Sequence, residues 1–380
     1  KATQVLDHLP DRIVVKASGS IIKNVKSVIV PHTNGLKGIE VAAAAGALYG
    51  DADAKLEVLS SATREQIEEL PEYVQNTNIT VQHIEQGHVF DLEIKVYYEQ
   101  EHASVRIVDT HTNIVQIEKD WKVVFEDKTT SLEHKADHSA LIMKQIWDFA
   151  KTVDIEDVKE ILDRQIACNM AIANEGIHNS YGANIGHVIL NMDLDCVKTR
   201  AKAYAAAGSD ARMNGCELPV VINSGSVPVV VYAKELNSTQ EQLYRALVLS
   251  NLTAIYIKTG IGTLSAFCGA VSAGAAAGAG IAYLHDGTYE EIQHTIVNAL
   301  AILSGTICDG AKASCAAKIA SSIDAGIMGY YMYKNKQQFY AGDGIVAHSV
   351  DETIQNIGTL GSQGMLQTND KIIEMMISCD

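Results

Sequence analysis

Proline is scarce, with five in 380 residues, and no stretch rich in Pro, Gly or Ser divides the chain. A compact arrangement with short connections is therefore expected over beads on a string. Positive charge is in deficit: 30 Lys and Arg against 46 Asp and Glu leave a net charge of −16. Nucleic-acid binders concentrate positive charge on one face, so no nucleic-acid partner is expected. Seven cysteines are too few and too irregularly spaced for a secreted disulfide scaffold, and none forms a CxxC pair. The opening KATQVLDHLPDR has no basic stretch followed by an apolar run, so no secretion signal is visible and a cytoplasmic location is expected. Internal repeats at a fixed period are absent too.

Hydrophobic residues make up 47 % of the chain, enough for a large core, and the length exceeds one average domain. One apolar stretch, Leu264 to Leu284, runs 21 residues without a charge. Its length meets the criterion for a membrane span. Its composition does not, since Ala and Gly supply little transfer energy and no aromatic belt or basic flank accompanies them. A buried helix is expected there, and no membrane.

In chain order, Lys1 to Leu9 reads as the end of a helix, Arg12 to Ala17 as a strand and Ile21 to Val30 as a second extended piece. A turn-rich loop, VPHTNGLKG, leads into an Ala-rich helix from Ile39 to Tyr49. Thr63 and Gln66 have capping-box spacing for a helix to about Val74. ITVQHI, VFDLEIKVYY, ASVRIVD, IVQIEKD and WKVVFED then alternate like an antiparallel meander packed on one helix. The histidines between His83 and His111 have no metal-ligand spacing and read as solvated. From Asp137 onward the pattern is helical: Asp137 to Val153, Ile155 to Ala173, Ala183 to Ala207, with Cys168 and Cys196 expected in core packing. Ser238 with Glu241 and Thr288 with Glu291 match capping boxes, Ser321 to Lys334 is helical, and a last helix runs from Asp370 to Ser378. The fold class expected is α+β, mainly a helical bundle with a smaller lobe of meander plus helix. Residues 1–130 form the N-terminal helix and α+β lobe, with part of 1–50 packing on the helical domain, and 131–380 form the helical domain.

The organising stretch is Gly260 to Lys318. Cys268 lies in GTLSAFCGAVSAGAAAGAGIAYL, and Cys308 and Cys315 lie in SGTICDGAKASCAAK. Both segments read as tightly packed helices of small residues. On the second, Cys308, Lys312 and Cys315 at i, i+4 and i+7 share one face. Soft thiolates on rigid helices suit an iron-sulfur cluster, and inert core thiols are the alternative.

AFCGA followed by ICDGAKASCAAK resembles the paired cysteine motifs of the L-cysteine desulfidase family, relatives of the iron-sulfur L-serine dehydratase alpha chain. SGSIIKNVKSVIVPHTNGLKGIEVAAAAGAL, VINSG with SVPVVVYAKEL, and GDGIVAHSVDETIQNIGTLGSQGM extend the resemblance along nearly the whole chain. It implies a 4Fe-4S cluster held by three cysteines, with Cys268 and Cys308 as two ligands. The third would lie in a CTEP-type motif upstream of Lys1, with Cys315 and Cys379 as further candidates. It implies elimination of sulfide from L-cysteine to give pyruvate and ammonia, or of water from L-serine, without pyridoxal phosphate. Lys312 would act as base or carboxylate anchor, and Asn24, Asn34, Asn223, Ser224 and Gly225 would hold the amino and carboxylate groups. The family's longer SGSGNQG-type run is missing here, where Ser226 is followed at once by Val227 and Pro228. A cluster-free amino-acid-binding protein of the same fold is the alternative of another class, and a homodimer is an open expectation.

Overall fold

The computed structural model describes residues 1–127, 138, 140–193, 196–221 and 225–377. Two compact units make up the chain. The first comprises Lys1–Ala136, Asp309–Ala311 and Thr368–Asp380, and the second Asp137–Cys308 and Lys312–Gln367.

The first unit begins with α1 (Ala2–Leu6), β1 (Arg12–Ser18), α2 (Gly19–Val25), α3 (Ile39–Leu48) and α4 (Arg64–Asn76). Strands β2 (Asn78–Ile84), β3 (Asp91–Tyr98), β4 (Glu101–Val108), β5 (Ile114–Lys119) and β6 (Lys122–Glu126) follow. The sheet is mixed, in the order β2-β1-β3-β4-β5-β6. The expected meander accounts for β3 to β6 only. β2 pairs parallel to β1, which the long helical crossover through α2, α3 and α4 permits. β1 buries Ile13, Val15 and Ala17 on one side, and Leu6, Ile21, Ile22, Val96 and Val105 complete that core.

The extended piece expected from Ile21 to Val30 is instead α2. Ile21, Ile22 and Lys23 are consecutive and all buried, which the two-residue alternation of a strand facing one core does not provide. The α4 capping box is present: Thr63 Oγ1 accepts from Gln66 N at 3.3 Å and Gln66 Oε1 accepts from Thr63 N at 2.9 Å.

The second unit is helical. It contains α5 (Met143–Thr152), α6 (Ile155–His178), α7 (Ile185–Leu190), α8 (Val197–Met213), α9 (Ser226–Glu235), α10 (Gln240–Ile261), α11 (Ala270–Leu284), α12 (Tyr289–Ile302), α13 (Cys315–Lys334) and α14 (Val350–Thr359). The last helix, α15 (Leu366–Ile377), starts four residues before the expected Asp370 and belongs to the first unit from Thr368 onward. The single helix expected from Ala183 to Ala207 is two, because Gly186 packs on Ala203 and Ala207 and turns α7 back along α8. Cys196 precedes α8 rather than lying inside a helix, and hydrogen bonding to the Thr199 backbone lowers its thiol pKa. The cap of α10 is Thr239 with Gln242, one residue beyond Ser238 with Glu241. Thr288 caps α12 by accepting from Glu291 N at 3.3 Å.

At the centre α11 is buried from Ala270 through Ala282. Its small residues let the α13 backbone touch it: a Cβ on Gly274 would lie 2.1 Å from Ser322 O, and one on Gly278 2.6 Å from Gly326 O. Among the described residues no helix is long and apolar enough to cross a membrane.

Candidate functional site

The loop that carries Cys268 lies between α10 and α11. Gly262, at φ +85, ends α10, and Ser265 Oγ accepts from Phe267 N at 2.9 Å while donating to Gly361 O at 2.6 Å. Phe267 is buried. From there the backbone pairs antiparallel with the segment after α12 through a bridge between Phe267 and Ile307. Cys268 N donates to Thr306 O at 3.1 Å and Cys308 N to Ala266 O at 2.6 Å. Each cysteine follows a bridge residue, so strand alternation turns both side chains to the side opposite Phe267 and Ile307. Their thiols are hydrogen-bonded to each other. That bond, with burial, raises the Cys268 thiol far above its ordinary range. Two residues forty positions apart in sequence thus form one thiol pair.

The helical face expected for Cys308, Lys312 and Cys315 does not form. Residues 308–314 are loop and turn, and α13 begins only at Cys315. Gly310 sits at φ +98, with its Cα packed so close to Lys23 O that a Cβ would stand 2.0 Å away, and this backbone cannot continue a right-handed helix. Lys312 is half-buried in that turn. Cys268 likewise lies before α11 rather than in it.

Two other amines stand beside the pair. Lys258, in the last turn of α10, donates from Nζ to Gly262 O at 2.8 Å, and burial lowers its pKa against the opposing pull of Cys308 and Cys268. Lys318, one turn into α13, donates to Ile307 O at 2.7 Å and its charge favours the Cys268 thiolate.

Cys268 also borders a cavity of about 180 Å³ within the second unit. Cys315, Lys318, Asn169, Ser209 and Arg212 share its lining. Asn169 is buried and fully engaged: Nδ2 donates to Val221 O and Ser226 Oγ, both at 2.9 Å, and Oδ1 accepts from Val221 N at 2.9 Å. It holds Val221 and the start of α9 against α6. Arg212 ends α8, and burial lowers its guanidinium pKa.

Of the other residues named from sequence, Gly225 is buried, with Ala273 O 3.0 Å and Ser250 Oγ 3.1 Å from where a Cβ would be. Close approach, not conformation, requires glycine there. Asn24 and Asn34 belong to the first unit. Asn24 Nδ2 donates to Ser20 O of its own helix at 2.8 Å, and Asn34 is an exposed loop residue at φ +53. Asn223, Ser224 and Cys379 lie outside the described residues. Sequence reasoning missed Lys258, Lys318, Asn169 and Arg212. None belongs to a recognisable motif, and only the solitary cation in YIKTGIG offered a signal.

The chemistry of the thiol pair fits a cluster site, because soft, juxtaposed sulfurs are the donors iron-sulfur clusters use. Among the described residues no group of three or more His, Cys, Asp or Glu is placed to hold a metal ion. The chain therefore presents two fitting ligands as a pair, with Cys315 on the same cavity.

Comparison with known proteins gives one family model, the serine dehydratase alpha chain, which matches residues 53–374. A UPF0597 protein of Desulfitobacterium hafniense strain Y51 is 52 % identical, covering 100 % of this chain and 90 % of that protein. UPF0597 proteins of Lachnoclostridium phytofermentans and Finegoldia magna are 47 % and 46 % identical, covering 100 % and 99 % of this chain and 93 % of each of those proteins.

Proposed function

This chain belongs to the serine dehydratase alpha chain family, a family of lyase kind, and from that premise we propose that it is an iron-sulfur-dependent lyase that eliminates sulfide from L-cysteine, yielding pyruvate, ammonia and hydrogen sulfide. The observation that carries the reading is the thiol pair of Cys268 and Cys308, assembled by a β-bridge beside a cavity of small-molecule size. Cys268 and Cys308 would hold a 4Fe-4S cluster, with a third cysteine expected upstream of Lys1. When bound, the cluster supplies a Lewis-acidic iron that stabilises the departing sulfur or oxygen.

The chain's own residues supply the rest. Lys258 takes the α-proton at Nζ, because burial favours its neutral form and lysines so placed act as bases near neutral pH. Lys312, half-buried in the turn before α13, is proposed as the alternative base or a carboxylate anchor and is subject to the same test. Asn169 fixes the cavity wall without spending its side chain on substrate. Gly225 and, from the resemblance, Asn223 and Ser224 are proposed to help hold the substrate's amino and carboxylate groups. Loss of the α-proton and the sulfur leaves aminoacrylate, which tautomerises and hydrolyses to pyruvate and ammonia. No pyridoxal phosphate is needed, and a cytoplasmic, homodimeric enzyme is proposed.

The family's name favours a second reading, L-serine dehydratase, in which a hydroxyl replaces the thiol. The test is pyruvate formation by anaerobically reconstituted protein offered L-cysteine and L-serine in parallel. Pyruvate with stoichiometric sulfide, lost in Cys308→Ala, supports the desulfidase, and turnover of serine alone supports the dehydratase. Silence with both substrates despite a loaded cluster would leave an amino-acid-binding protein.

A further inference from the structure

The basic residues of α8 divide into two kinds. Lys198 and Lys202 reach Asp324 at 3.0 and 3.1 Å, and Arg200 reaches Glu235 at 2.6 Å. Arg212 has no ion-pair or hydrogen-bond partner among the described residues, although it is removed from water enough to lower its pKa. A guanidinium stays charged under all ordinary conditions, and a partly desolvated one is stabilised by an anionic partner. Three residues before it on the same helical face stands Ser209, whose hydroxyl also has no partner among the described residues. Gly208, beside Ser209, also lines the cavity.

The cavity measures about 180 Å³. That is room for a three-carbon α-amino acid, and Cys268 lines the same space.

We propose that Arg212, with Ser209 one turn before it, anchors the α-carboxylate of a three-carbon α-amino acid in this cavity, and so selects free amino acids over their amides, esters and peptides. The anchor rests on the reading of the site as one for a small amino acid. A planar guanidinium matches a carboxylate with two parallel hydrogen bonds, which an amide cannot accept in the same way.

The experiment uses the full chain and probes that cannot be eliminated, L-alanine and L-alaninamide, titrated by calorimetry into the unsubstituted protein, Arg212→Gln and Arg212→Lys. The unsubstituted protein should bind L-alanine at least tenfold more tightly than L-alaninamide. Arg212→Gln should bind the two about equally, and Arg212→Lys, which keeps the charge but not the fork, should fall between. Equal binding of both probes by the unsubstituted protein, binding of neither, or discrimination that survives in Arg212→Gln would overturn the anchor. If Arg212→Gln fails to fold by circular dichroism, Arg212→Lys decides, since undiminished discrimination there overturns the two-bond fork. Because L-alanine has no leaving group, these outcomes are read separately from pyruvate formation. Silence in the pyruvate assay with intact probe discrimination would sink the lyase and leave the anchor.

Discussion

Lys258 is the amine whose surroundings are best defined, held by Gly262 O and facing the thiol pair. Replacing it with Met should lower kcat on the preferred substrate by about 100-fold or more, the usual worth of a positioned base, while iron content after reconstitution stays unchanged. Lys312→Met, assayed in parallel, should cost less. Full turnover in Lys258→Met would move the base elsewhere. His285 offers a residue-scale test of pH dependence. It stacks on Tyr330, meets the edge of Tyr232 and leaves Nε2 buried without a partner among the described residues. Burial, helped by Lys334 and opposed by Glu291 and Asp286, lowers its pKa. The native state therefore prefers neutral imidazole, and its contribution to stability is full above the unfolded value of about 6.5 and lost as pH falls below it. The urea midpoint should drop less between pH 7 and pH 5 in His285→Phe, which keeps the stack but cannot titrate.

At the scale of elements, α11 and α13 meet through glycine and serine, so adding a single methyl there should be severe. A Cβ on Gly326 would stand 2.1 Å from Gly274 O, a backbone atom that cannot move aside. Gly326→Ala should cost about 3 kcal/mol or prevent folding, read by urea unfolding and soluble yield. Gly46, inside α3 with nothing among the described residues within 4 Å of where a methyl would stand, is the counterpart: Gly46→Ala should stabilise by about 0.5–1 kcal/mol. These helices were legible in the sequence wherever local chemistry wrote them, as at Thr63 and Thr288, whose side chains cap the predicted starts. Periodicity failed where tertiary contacts decided. Cys308, Lys312 and Cys315 have helical spacing, yet the bridge at Ile307 and the turn at Gly310 claim that backbone first. The thiol pair itself could be named from motifs, but not Arg212, because an arginine closing an Ala-rich helix looks the same in sequence whether it meets solvent, a carboxylate or a cavity.

For the whole molecule, the division of the chain sets how stability can be measured. Each unit contains one of the two tryptophans, Trp121 on the sheet over His102 and Trp147 against Tyr283 and Tyr289. Single-tryptophan variants can therefore follow the units separately. The first unit depends on α15 after Thr368: Ile373 lies on Gly19, Asn369 Oδ1 accepts from the buried Lys23 Nζ at 2.6 Å, and Met376 O accepts from Lys26 Nζ at 2.6 Å. Truncation after Gln367 should weaken that unit by about 3 kcal/mol, from one buried isoleucine and charge-assisted hydrogen bonds, and should move the Trp121 transition more than the Trp147 transition. The same membership has a consequence for synthesis. More than two hundred residues separate Ala136 from Thr368, so at ribosomal speeds the sheet waits on the order of tens of seconds for its last helix. Nascent chains paused before Thr368 should carry Lys23 and the face of Gly19 uncovered, which makes the N-terminal third the part of this protein that holding chaperones would shelter.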